Sequence, residues 1–126
     1  MLKKILILFA LCCGVAGSAV NAQNRPISSD LPWDNDAATA VLEDRLPVMF
    51  PDGSSAANLH AALENERFHM TSDRRGTSTP TSDGYHFVNK NVLRFRFGCG
   101  TTLQVNWQQR DGQVFDIVGR MHEGCL

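Results

Sequence analysis

The chain has 126 residues, with 12 Lys+Arg against 13 Asp+Glu and four histidines. That length fits one domain, and the near-neutral balance excludes a strongly basic nucleic-acid binder. Residues 1–22 read as a secretory signal peptide. Lys3 and Lys4 precede an apolar run from Ile5 to Val15, and Val20-Asn21-Ala22 forms a small-residue cleavage pattern before Gln23. The run of 11 residues is too short to cross a bilayer core of about 30 Å. Cleavage after Ala22 leaves 104 residues with a formal charge of −3 and implies a secreted or periplasmic protein.

Two of the four cysteines, Cys12 and Cys13, sit inside the apolar run, where they act as small hydrophobes. The residues before them do not match the lipoprotein pattern of a Leu three places upstream with a small residue adjacent, so cleavage is expected and not lipidation. Cys99 and Cys125 remain. In an exported protein such a pair is most simply a disulfide.

Residues 23–35 are polar, contain Pro26 and Pro32, and show no periodicity, so they read as a flexible leader before a single domain at 36–126. Asp34 or Asp36 can cap a short helix, Ala37 to Arg45. Pro47 is expected to end it, because the residue before a proline is pushed out of the helical region. Leu46 to Pro51 then reads as an extended connector. Ser54 or Ser55 can cap a second helix, Ala56 to Asn65, with Leu59 and Leu63 on its apolar stripe.

The rest alternates. Arg67 to Thr71 reads as a short strand, and Ser72 to Gly84 as a polar loop or hairpin arm. Tyr85–Val88, Val92–Phe97, Leu103–Trp107 and Phe115–Met121 read as strands. The separators are Asn89-Lys90-Asn91, Gly98-Cys99-Gly100 and Arg110-Asp111-Gly112. The expected fold is α+β: two short helices packed on one face of a four- or five-stranded antiparallel meander, closed by one disulfide. The expected core is Leu59, Leu63, Phe68, Phe87, Leu93, Phe95, Phe97, Leu103, Val105, Trp107, Phe115 and Ile117.

Treating Arg110–Gly112 as a three-residue loop sets Trp107 opposite Phe115 and Val105 opposite Ile117. Cys99 then lies opposite Glu123 or, one even step on, opposite Cys125, with the same face in either register. The bridge would close a loop of about 26 residues, worth on the order of 3 kcal/mol in the chain-entropy model.

No phosphate loop, nucleophile elbow or metalloprotease helix is present. His122-Glu123 are adjacent strand residues on opposite faces, a poor chelating pair, so no metal and no cofactor are expected. The turn assignments place His86 opposite Arg94, Arg94 opposite Gln104, Arg96 opposite Thr102, Thr102 opposite Arg120 and Asn106 opposite Asp116. Arg94, Arg96, Arg120 and His86 would then converge on the outer polar face. That face reads either as the ordinary wet side of the sheet or as a docking surface for an acidic envelope protein or polymer.

The export signal, the helix start Phe50-Pro51-Asp52-Gly53-Ser54-Ser55, the short Ala/Leu helix and the meander together resemble small periplasmic helix-on-sheet proteins. The small lipoprotein of the outer-membrane β-barrel assembly machinery is one such family, and β-lactamase-inhibitor-type domains are another. The resemblance covers roughly residues 36–126 and is architectural; the lipid-anchor cysteine of the first family is missing. It implies a binding role for the sheet face or its loops. The expectation is therefore a non-enzymatic envelope binding protein. The alternative is a small hydrolase or ligand-binding enzyme with its site between the 72–84 loop and the sheet, marked by a pocket lined by His69 and His86.

Overall fold

The computed structural model describes residues 26–72, 76–96 and 98–125, with backbone alone at 71–72 and 93–96. The expected signal peptide and its cleavage site lie outside these residues, as do the side chains of Leu93, Arg94, Phe95, Arg96 and Phe97.

Two helices pack on one face of a four-stranded antiparallel sheet, as the alternation and the helical stripes require. The elements in order are α1 (Asn35–Met49), β1 (Ser54–Ser55), α2 (Ala56–Asn65), β2 (Thr71–Ser72), β3 (Gly76–Thr77), β4 (Gly84–Arg96), β5 (Cys99–Arg110) and β6 (Gln113–Cys125). The main sheet runs β1-β6-β5-β4, and β2 pairs with β3 in a separate ribbon. The three long strands form the meander. Among the described residues no helix is long and apolar enough to cross a membrane.

Helix α2 has the expected bounds, and the Ser55 hydroxyl caps it by accepting from the Asn58 amide at 3.3 Å. Helix α1 does not stop before Pro47. Asp34 caps it at the Ala37 amide, 2.8 Å away, and the helix runs through the proline to Met49. Pro47 lies in the last turn, where its missing N–H costs a single hydrogen bond. Continuing the helix buries Leu46 and Met49 on the stripe begun by Ala38 and Leu42. Burial of each such side chain is worth about 1.5–3 kcal/mol, enough to outweigh the local penalty. The expected extended connector therefore does not exist.

Asn89-Lys90-Asn91 is not a turn either. It lies in mid-strand, paired with Gln104, Leu103 and Thr102 of β5. None of the three residues has positive φ, which a tight hairpin would need, and pairing along all of β5 satisfies their backbone instead. Lys90 also spans the inner side, its ammonium 5.7 Å from the Phe68 ring centroid and 3.2 Å from Ser28 Oγ. One strand thus replaces two. His86 and Val88 point into the core, and the expected inward residue, Phe87, is half-exposed on the outer face.

The β5–β6 register also departs from expectation. Asp111 and Gly112 both have positive φ and form a two-residue turn, so Arg110 pairs with Gln113 and Gln109 with Val114. This places Val114 in the core and Phe115 outside. A bulge then sets Asp116 and Ile117 against Trp107, with Asp116 at φ 52° and its amide held by Asp52 Oδ1 at 2.9 Å. The extra residue restores the original parity. Ile117 and Met121 point inward, and Cys99 pairs directly with Cys125 in a disulfide.

Helix α1 crosses β6 at Gly119. A Cβ there would lie 2.6 Å from Leu46 Cδ1 and 3.1 Å from Leu42 Cβ, so the close crossing needs glycine.

The leader is not loose from Pro26 onward. Ile27 is fully buried. Glu66, just past α2, accepts from the Ile27 amide at 2.7 Å, the Ser28 amide at 3.0 Å and the Ser28 hydroxyl at 2.8 Å. Arg45 of α1 donates to the carbonyls of Ile27 and Ser29 at 2.8 and 2.7 Å. One apolar side chain and two charged clamps order a stretch that has no secondary-structure pattern.

Candidate functional site

Two features stand out, one on each side of the sheet. The first is a buried polar network between α2, the segment Ser78–Asp83 and the inner face of β4 and β5. Its members are His60, Ser78, His86, Trp107 and Gln109, each no more than 4% exposed. His60 lies on the α2 stripe one residue after Leu59. His86 and Gln109 reach the same space because strand parity turns them inward.

The proton positions follow from two backbone carbonyls. Gln109 Nε2 donates to Thr79 O and Ser82 O, both at 2.8 Å. Its Oε1 is therefore the acceptor, taking the Trp107 indole N–H at 3.1 Å and His60 Nε2–H at 3.3 Å. His86 Nε2 donates to Ser82 O at 2.7 Å, which makes Nδ1 the acceptor of the Ser78 hydroxyl at 2.6 Å. The His60 ring is neutral in this arrangement, its one proton on Nε2. His60 Nδ1 is buried and has no partner. Burial lowers the His60 pKa below the usual histidine value, and nearby His86 lowers it further, while the Gln109 hydrogen bond and Glu64 raise it. The rings pack closely: His86 stacks on Trp107 at 5.4 Å, and His60 meets Trp107 edge-on at 5.6 Å.

The second feature is the outer face of the sheet, which neither helix covers. Cross-strand register arranges it in rows: Tyr85–Gln108–Phe115, Phe87–Asn106–Val118, Asn89–Gln104–Arg120 and Asn91–Thr102–His122. Tyr85 is 54% exposed and Val118 36%. Asn106 Nδ2 donates to the Tyr85 hydroxyl at 2.6 Å, and the Arg110 guanidinium lies 4.5 Å from the Phe115 ring centroid. One end of the face is aromatic, the other polar.

Of the expected cluster, Arg120 is exposed on this face, but opposite Gln104 and not Thr102. His86 is not there: it is buried on the other side and pairs by register with Trp107, not with Arg94. Arg96 pairs with Cys99, not Thr102, and Asn106 pairs with Val118, not Asp116. Arg94 and Arg96 have backbone in β4, while their side chains lie outside the described residues. The turn signal at Asn89–Asn91 and the missed bulge account for these differences. His69 is exposed and does not join His86 in a pocket. A cavity of about 520 Å³ lies elsewhere, lined by Met49, Phe50, Ser55, Asn58 and Ala62 among others.

Sequence reasoning missed the buried network. The available signal was the inward parity of Gln109 and His86 once β4 is read as continuous. Among the described residues no group of three or more His, Cys, Asp or Glu is placed to hold a metal ion. Comparison with known protein families, curated proteins and solved structures finds no significant match.

Proposed function

We propose that the chain is an exported, non-enzymatic binding protein of the bacterial cell envelope that docks an acidic protein partner through the outer face of its sheet. The observation that carries this reading is an uncovered face where Tyr85, Phe87, Phe115 and Val118 adjoin Arg110 and Arg120. Tyrosine and arginine dominate interface hot spots, because each combines contact area with directed polar groups. The resemblance to small periplasmic helix-on-sheet proteins implies the same class of role. Of the four residues expected on this face the proposal keeps Arg120; His86 is buried on the other side, and the side chains of Arg94 and Arg96 lie outside the described residues.

The test is site-specific photo-crosslinking in the envelope from position 118, with position 43 on the exposed side of α1 as control. Adducts with one acidic protein from 118 alone are expected. Arg120→Ala should weaken them by about 1–2 kcal/mol of binding and leave stability within about 0.5 kcal/mol. Raising salt should weaken them further, since exposed charges are screened over about 8 Å at physiological ionic strength. Equal adducts from both positions, or adducts only with a polymer, would overturn the proposal.

A second reading rests on Ser78 and His86. The hydroxyl faces Nδ1 at 2.6 Å and the ring is oriented by Ser82 O, a nucleophile–base–orienter order placed between the 72–84 segment and the sheet. Against it, Ser78 is 4% exposed and its amide is committed to Met70 O at 2.6 Å, so it offers no oxyanion donor. Labelling of Ser78 by a fluorophosphonate, lost in Ser78→Ala, would favour hydrolysis over binding.

A further inference from the structure

We infer that Ser78–Asp83 is an acid-released strap, bound on the inner sheet face to Gln109 and His86 and closing over a buried His60 that must stay neutral for the strap to remain shut. The strap has a compact core of its own: the Ser82 amide and hydroxyl both bond Thr79 O, at 3.4 and 3.1 Å, around Pro80 and Thr81. Hydrogen bonds among the described residues join it to the rest. Gln109 holds its two carbonyls, and His86 holds Ser82 O and the Ser78 hydroxyl. The Asp83 carboxylate accepts from the Asp111 amide at 3.0 Å, and the Ser78 amide bonds Met70 O. Most of these bonds converge on a single buried cluster, so the strap is poised to leave as a unit.

His60 makes that cluster sensitive to protons. Its Nε2–H is fixed by Gln109 Oε1, whose other acceptor capacity goes to Trp107. An added proton must go to Nδ1, which is buried without a partner. The groups facing the ring are Trp107 and Gln109 from β5, His86 from β4, Ser78 from the strap at 3.5 Å, and Glu64 one turn along α2. None of the hydrogen-bonding contacts supplies an acceptor to Nδ1. His86 and Trp107 meet the ring edge-on and the Ser78 hydroxyl of the strap lies 3.5 Å from Nε2, so parting the strap uncovers the ring to water.

The sign is definite. Burial lowers the His60 pKa in the closed form, and an opened strap returns it toward the solvated value near 6.5. The open form therefore binds the proton more tightly, and opening increases as pH falls. One coupled proton makes the opening constant rise about tenfold per pH unit, from roughly pH 6.5 down to the closed-state pKa, and level off below it.

Hydrogen exchange on the purified protein, corrected for intrinsic exchange rates, tests this between pH 7.5 and 5. The amide of Ser78 and the indole N–H of Trp107 should lose protection with that slope, while amides of Leu103 and Val105 keep theirs. His60→Phe, which cannot titrate, should abolish the slope. If His60→Phe does not fold, Ser78→Ala supplies the second arm: it should raise the opening constant at neutral pH, with the strap still mainly closed, and retain the pH slope. PH-independent protection, or strap and β5 amides losing protection together, would overturn the inference. So would an unchanged slope in His60→Phe.

Discussion

The His86 imidazole lies nearly parallel to the Trp107 indole, with 10° between the planes and 5.4 Å between centroids. This stacking aims both ring nitrogens at the Ser78–Asp83 segment, so one side chain joins the hydrophobic core to a polar loop. The burial of His86 has an energetic consequence. His86→Ala should cost about 2–4 kcal/mol, from the cavity left under Trp107, from the Ser78 hydroxyl losing its 2.6 Å partner and from Ser82 O losing one of its two donors. A surface histidine would cost less than about 0.5 kcal/mol. Urea unfolding of the two proteins distinguishes these outcomes.

Gln109 is fully buried and makes four hydrogen bonds with complementary ends. Gln109→Leu keeps the approximate volume and leaves the Trp107 N–H and the His60 Nε2–H without the acceptor they share. The expected loss is about 2–3 kcal/mol, because each unpaired buried group bears its own desolvation cost. Thermal melting followed by near-ultraviolet circular dichroism should also show an altered Trp107 environment.

Glu66 and Ile27 give a direct test of the docked leader. Ile27→Ala should destabilise by about 2–4 kcal/mol through the lost apolar burial and the cavity. Glu66→Ala removes three charge-assisted acceptor contacts to Ile27 and Ser28, and should cost about 1–3 kcal/mol. Limited proteolysis between Pro26 and Leu31 should speed up in both variants. Unchanged cleavage would show that the segment is not held as described.

Gly119→Ala should destabilise by about 1–3 kcal/mol, since the new methyl would press on Leu42 and Leu46 and push α1 off β6. Gly124→Ala, where an added Cβ meets nothing within 4 Å, is the matched control and should have a small effect. Denaturant midpoints at constant m-value would report the difference.

The Cys99–Cys125 disulfide predicts an intact mass about 2 Da below the reduced form, for two hydrogens lost on oxidation. It links cross-strand partners and closes a 26-residue separation around the β5–β6 hairpin. Reduction should cost on the order of 3 kcal/mol in the chain-entropy model. Two thiols alkylated in the native protein would contradict the bridge.

The α+β class, the α2 bounds with a serine cap at 54 or 55, the alternation of β5 and the cysteine pairing were all legible in the sequence. Each depends on interactions within a few residues or on side-chain period, and these are written in local order. Tertiary structure alone decided the course of α1 through Pro47, the continuity of β4 through Asn89–Asn91, the bulge at Asp116 and the docking of Ile27. In every case a local preference of one to three kcal/mol, on the scale of proline and turn propensities, was opposed by burial or ladder pairing with residues far away in the chain. The candidate site shows the consequence. Arg120 kept its face because its parity survives an added turn shift and an added bulge together. His86 changed faces because its parity depended on a single turn that long-range pairing with β5 removes.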